Sequence, residues 1–206
     1  MIRGLSLVFL MAFTSGVCAA EPSVAAKNLH ALFDAEWELG LKEAPTFATH
    51  LGDKRYDHLW PDASVAAINR RREHQRDVLK QLQAIPAAEL SPQDQLNLAL
   101  FLQQTEIDIA GYAFDGHLMP LDMRGGIQDE GSIADVIAFD AVSDYEAWLA
   151  RLRAFPAYMD QTMALMREGV RKKIVQPQIV MQRVPAQIKR QIVDDPTESL
   201  FYKPFK

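Results

Sequence analysis

The chain is short of nearly every feature that marks an enzyme or a membrane protein in sequence. Its 206 residues contain one cysteine, Cys18, so no disulfide can staple the fold and stability has to come from packing. Beyond the N-terminus no apolar run is long enough to cross a bilayer. Positive charge is not in excess: the net charge is -5, which leaves no electrostatic footprint for nucleic acid. No stretch alternates apolar and polar residues as a half-buried strand does. His-Glu-x-x-His, Gly-x-Ser-x-Gly and the Gly-Lys-Ser/Thr phosphate loop are all missing, which removes the simplest signs of a zinc hydrolase, a serine hydrolase and a nucleotide site. What is present is a globular composition, 49% hydrophobic and 24% charged, on a chain long enough for a real core.

Residues 1–20 read as a secretory signal peptide. Arg3 gives a positive start, Leu5 to Phe13 an apolar segment too short to span a membrane, and "SGVCAA" a small-residue cleavage region ending at Ala20. This predicts a periplasmic or secreted protein of residues 21–206. A lipid anchor at Cys18 is the weaker alternative, because Ser15 and Val17 stand where a lipobox carries leucine and glycine or alanine.

Helix punctuation dominates the rest, and the expected fold is all-α. Leu29, Leu32, Phe33, Glu36 and Trp37 fall at helical spacing from Val24, with Gly40 as the expected stop. Pro45 opens a short helix that Gly52 ends. Asp62 or Ser64 caps a long helix to about Ile85, with Val65, Ile68, Val78, Leu79 and Leu82 inward. Ser91, Pro92 and Asp94 start a helix whose apolar residues lie all around it, so cover on more than one side is expected. After an irregular glycine-rich stretch, Ser132 is expected to cap a short helix to about Phe139, and Ser143 with Glu146 to form a capping box. Trp148, Leu149, Leu152 and Phe155 share one face of the helix that follows. Pro156 predicts a break or kink, and a further helix runs to about Arg171. Pro177 opens a last helix that Pro185 kinks or splits, before an apolar, uncapped tail after Pro196.

No catalytic, cofactor-binding or metal-ligating residue is assigned. The five histidines, His30, His50, His58, His74 and His117, never stand four apart, as two ligands on one helix face would. The loop "HLGDKRYDH", with His50, Asp53, Asp57 and His58, is the densest group and reads as a turn held by aspartate hydrogen bonds rather than as a metal site. Arg70, Arg71 and Arg72 read as a solvated helix face, and Asp129–Glu130 and Asp194–Asp195 as loop solvation. Met159, Met163 and Met166, with Leu165 and Val170, recur every three or four residues and read as a buried stripe, with a peptide-binding groove as the alternative.

The spelling of several segments carries more than their periodicity. "DYEAWLARLRAFPAYMDQTMALMREGVRKKIVQPQIVMQRVPAQI" and "DDPTESLFYKPF" follow "THLGDKRYDHLWPDAS", "LSPQDQLNLALF" and "LMPLDMRGGIQD" in order. Together they resemble the N-terminal portion of the bacterial domain of unknown function 885 family. The resemblance implies a secreted, largely helical protein similar to zinc peptidases, with its His-Glu-x-x-His motif in a later portion that this sequence does not contain. Zinc is therefore expected only in full-length relatives. The chain is expected to be a truncated, non-catalytic wall of a substrate channel, partnered by a peptide substrate or the C-terminal half; a stand-alone periplasmic module binding peptide or protein is the alternative. Lys173 and Leu200 depart from the family pattern, standing where glycine and proline are expected.

Overall fold

The structure, a computed structural model, describes residues 21–206; the expected signal peptide and Cys18 lie outside the described residues. Seven α-helices and several 3₁₀ turns make up the described chain, with no strand among the described residues. The all-α expectation holds.

Local signals set most helix starts. In α1 (Val24–Glu43) the Ser23 hydroxyl accepts from the Ala26 amide and also donates to the Glu89 carbonyl, so one cap joins two segments. α2 (Pro45–His50) has proline in its first turn, where no amide is needed. α3 (Val65–Gln83) is capped by Ser64 and α4 (Pro92–Gly111) by Ser91. α6 (Gln178–Met181) and α7 (Val184–Lys189) are the two pieces left when Pro185 splits the last helix.

Other boundaries differ from the expectation, each for a physical reason. α1 runs through Gly40 and ends only where Ala44 leaves the helical region before Pro45; glycine weakens a helix by roughly 0.5–1 kcal/mol relative to alanine but does not stop one. Ser132 caps nothing. It lies inside the 3₁₀ helix Ile127–Asp135 and donates to the Asp129 carbonyl. α5 (Val142–Lys172) begins one residue before Ser143, and its start is held by the Asp144 carboxylate, which accepts from the Asp140 and Ala141 amides. Pro156 does not break it. The packed aromatic residues Phe155 and Tyr158 and the neighbouring Leu152 hold both sides of the proline in one cluster, which offsets the lost hydrogen bond. The tail is capped: Ser199 accepts from the Phe201 amide and starts a 3₁₀ helix, Leu200–Phe205.

Two cores result. In the first, the N-terminal half of α1 (Ala25, Ala26, Leu29, Leu32) packs on the C-terminal half of α3 (Val78, Leu82) and on Leu90 and Leu98. In the second, Trp148 of α5 is fully buried among Trp60, Ile133, Ala134 and Ile137, with Phe201 of the tail packed on it. The Trp148 indole N–H donates to the Phe201 carbonyl at 3.1 Å, fixing the tail.

The inward line of α5 is Trp148, Arg151, Phe155, Tyr158, Thr162, Leu165 and Gly169, at alternating steps of three and four. The methionines are not on it. Met159 and Met163 are exposed, as is Val170. Each methionine stands one position after a packed residue, and one residue is about 100° around a helix. Of the expected buried stripe Leu165 is inward, and the methionines and Val170 form a flank beside it. α4 departs in the same way: only Leu98 and Thr105 are buried, while Leu96, Leu100 and Ile107 face outward. Val65 is likewise exposed.

α5 ends at Lys173, whose φ of 62° is left-handed, the conformation in which glycine is favoured. Lys173→Gly is expected to raise the unfolding free energy by about 0.5–1 kcal/mol, an increase of a few degrees in Tm that differential scanning calorimetry would register.

Candidate functional site

The acidic and histidine-bearing loop after α2 does not assemble a ligand set. His50 Nδ1 donates to the Thr46 carbonyl at 2.8 Å, Asp53 accepts from the Arg55 amide and guanidinium, and His58 is exposed. Among the described residues no three His, Cys, Asp or Glu side chains are grouped to hold a metal ion.

Asp57, from the same loop, is instead buried in a cluster built around Arg151. The Arg151 side chain is fully buried. Its Nη2 donates to Thr49 Oγ1 at 2.9 Å and to the Tyr56 carbonyl at 3.0 Å, and lies 3.8 Å from Asp57 Oδ1. Thr49 Oγ1 is in turn 2.5 Å from that same Asp57 oxygen. The guanidinium carbon sits 5.5 Å over the Trp60 ring, and the Trp60 indole N–H donates to the Arg151 carbonyl at 2.7 Å. Arg151 Nε and Nη1 have no hydrogen-bond partner among the described residues. Burial pulls the guanidinium pKa down to about 10, against the opposing pull of Asp57 and Glu130. Nothing in the arginine's own neighbourhood of sequence announced this; its place on the inward line between Trp148 and Phe155 was the available signal.

Glu130 also leaves the solvated role expected of it. Its Oε1 accepts from the Tyr158 hydroxyl at 3.2 Å, and Tyr158 stacks on Trp60 with the rings 3° from parallel. Burial holds the Glu130 carboxyl above its ordinary value of 4.5, with the Tyr158 hydrogen bond working the other way. Burial and the adjacent Glu130 push the Tyr158 phenol up as well. Asp195, by contrast, caps the turn at Thr197.

A second feature lies where α1 and α3 no longer meet through the first core. The C-terminal half of α1 and the N-terminal half of α3 border a cleft of about 660 Å³, closed at one end by the end of α4 and the turn that follows it. Leu39 and Ile68 give it apolar walls, and Gly40, Gly111 and Gly116 line it. Two polar bridges join α1 to α3: His74 Nε2 to Glu36 at 2.7 Å and Arg71 Nη1 to Glu43 at 2.9 Å. Arg72 Nη2 donates to His117 Nδ1 at 2.9 Å, its guanidinium lies 4.9 Å over the Tyr112 ring, and Asp115 is 3.5 Å away. Asp115, itself left-handed at φ 48°, is paired with Lys172 of α5 at 2.9 Å. The Arg70–Arg72 run is thus not a uniformly solvated face: Arg72 is largely buried and Arg71 partly so.

Two outcomes are expected of the buried cluster. Arg151→Ala should lower the unfolding free energy by about 3–5 kcal/mol, because Asp57 is then buried without its cation. Adding Asp57→Ala should cost less in that background than in the wild type, a coupling that urea denaturation of the four proteins would measure. Glu130 binds its proton more tightly folded than unfolded, so its contribution to stability is full below 4.5 and is lost as pH rises through the raised folded value. Glu130→Gln is therefore expected to gain stability relative to wild type as pH rises from about 4 to 8, read from paired denaturation curves.

No curated protein and no solved structure matches the chain. The family model described as "Bacterial protein of unknown function (DUF885)" matches residues 45–206, which takes in the Arg151 cluster, all of α3 to α7 and the α3 wall of the cleft. On that match, the chain belongs to the DUF885 family of bacterial proteins.

Proposed function

We propose that residues 21–206 are a helical scaffold that forms one wall of a substrate channel in a zinc-peptidase-like protein, contributing no metal ligand and no catalytic group. A C-terminal half of the kind implied by the resemblance would supply the zinc and the hydrolytic chemistry, and a peptide would be the substrate. The leader-like segment 1–20 assigns the protein to the periplasm or the exterior.

The observation that carries this reading is the apolar surface left over once both cores are complete. Leu96, Leu100 and Ile107 stand outward on α4, and Met159, Met163 and Val170 on α5. None of them is needed to close the clusters around Leu29 and Trp148. Aligned apolar side chains in water mark surfaces that other protein covers, and methionine suits a surface that has to accommodate varied shapes. A stand-alone peptide- or protein-binding module is the second reading, supported by the cleft between α1 and α3, which a scaffold does not require.

The purified chain is expected to leave fluorogenic peptides intact with or without added zinc. It should bind bis-ANS in its native state, and Leu100→Gln with Ile107→Lys should reduce that binding without lowering Tm. Zinc-dependent hydrolysis would overturn the scaffold proposal. A monodisperse, dye-silent protein would replace it with the stand-alone module.

A further inference from the structure

We propose that the protein forms a two-fold symmetric dimer in which α5 of one copy pairs antiparallel with α5 of a second copy, along the line that carries Met159 and Met163. The pairing does not rest on the channel-wall reading. It occupies the apolar face of α5 and leaves that of α4 open.

The line repeats at alternating steps of three and four in both directions from Met159 and Met163. It reaches Val142 at one end of α5 and Val170 at the other, and every position on it is apolar or aromatic. That is about four heptads, roughly 40 Å of helix, with these residues at the a and d positions. A seam kept over such a length, with charges beside it, is the pattern of a coiled coil. Val142, Leu149, Met159, Met163 and Val170 are exposed on it. Tyr145 and Leu152 are half-buried, against Phe205 of the tail and against the second core. The inward line of α5, which includes Trp148 and Phe155, supplies the g positions, so one edge of the seam is already taken by the protein's own core.

Charges on the other edge select the partner. The α5 residues Asp144, Arg151, Glu168, Arg171 and Lys172 are all paired within the chain. Among the described residues, the α5 charges without a partner are Glu146, Arg153, Asp160 and Arg167. All four are exposed. They stand at the e positions, seven residues apart, and alternate in sign. Read from the other end, the series − + − + becomes + − + −, its own complement. Reversing one helix puts the e edges of both copies on the same side of the seam. Glu146 then meets the partner's Arg167 and Arg153 the partner's Asp160, and the two-fold axis repeats each pair. In that register Leu149 packs on the partner's Met166 and Leu152 on the partner's Met163, flexible side chains against branched ones. A parallel pair would set each e edge against the partner's g edge, where that copy's own core lies and no opposite charges wait. An unrelated apolar partner would not call for a series complementary to its own reverse.

Sedimentation velocity of the purified protein is expected to show a monomer–dimer equilibrium, with dimer prevailing at about 50 µM. Two double variants of equal composition and net charge test the register. Glu146→Arg with Arg167→Glu gives + + − −, which is still self-complementary, and should dimerise as wild type does. Glu146→Arg with Arg153→Glu gives + − − +, which sets like charges opposite each other in every pair. It should weaken the dimer at least about tenfold with far-UV circular dichroism unchanged. Met163→Lys, on the exposed seam, should weaken it as much. A wild type that stays monomeric up to about 100 µM would assign the α5 face to another chain and overturn the proposal. Equal dimerisation by the two double variants, or a dimer that survives Met163→Lys, would overturn it as well. Zinc-dependent peptide hydrolysis by the same protein would sink the channel-wall reading and leave the pairing standing.

Discussion

The buried guanidinium of Arg151 is the constraint around which the second half of the molecule is arranged. Taking such a cation out of water costs several kcal/mol even after the protein relaxes, and here only part of that cost is met directly. Nη2 finds Thr49 and the Tyr56 carbonyl, while Nε and Nη1 find no partner among the described residues. The rest comes from the Trp60 face and the nearby carboxylate of Asp57. These partners come from α2, from the turn after it and from the loop before α3, segments that also meet α5 through Trp60 on Phe155 and Tyr158 and through the Lys54–Asp144 pair. The arginine also fixes the rotation of α5. Turning the helix by one residue would move Arg151, Thr162, Leu165 and Gly169 off the inward line together. Gly169 tolerates no such change, because its backbone passes close to the Leu118 and Ile174 carbonyls.

How much of this was legible in the sequence follows the range of the interactions. The Ser23, Ser64 and Ser91 caps, the Pro45 start and the Pro185 split are decided within four residues; the letters show the Ser91 cap, the Pro45 start and the Pro185 split, narrow the α3 cap to Asp62 or Ser64, and do not single out Ser23. Gly40 and Pro156 misled because each carries a local penalty that packing elsewhere on its helix outweighs. The methionines misled for a subtler reason. Two adjacent lines on α5 both recur at three and four residues, and hydrophobicity favours the wrong one. The true inward line contains Arg151, Thr162 and Gly169, which score as polar or small, and Arg151 and Gly169 meet groups far away in sequence, Thr49, Tyr56 and Leu118, that no local pattern reveals.

The same limit applies to the two polar sites. Arg70–Arg72 looks like a solvated run, and Arg70 is one; Arg72 becomes interior only because Tyr112, Asp115 and His117 return from the far end of α4 to meet it. Glu130 looks like half of an acidic loop pair, and Tyr158 and the buried arginine alter its environment from another helix. Arg72, Glu130 and Tyr158 all lie within the residues the family model matches, so the resemblance gives kinship without telling which of the matched side chains meet in space.

The molecule therefore has two kinds of unfinished surface, and they differ in energetic character. The cleft is framed by bridges between helices, Glu36 to His74 and Glu43 to Arg71, that keep it open by holding α1 and α3 apart at fixed distance. Covering it with a flat apolar partner would take those ion pairs out of water, a desolvation cost that their mutual attraction only partly offsets. The outward faces of α4 and α5 carry the opposite penalty, since each leucine or methionine there is part exposed and burial would return a fraction of the roughly 1.5–3 kcal/mol that full burial is worth. A protein partner is therefore favoured on the helix faces and disfavoured over the cleft. One chain can carry both surfaces because the cleft is walled chiefly by α1 and α3, and the long apolar faces belong to α4 and α5.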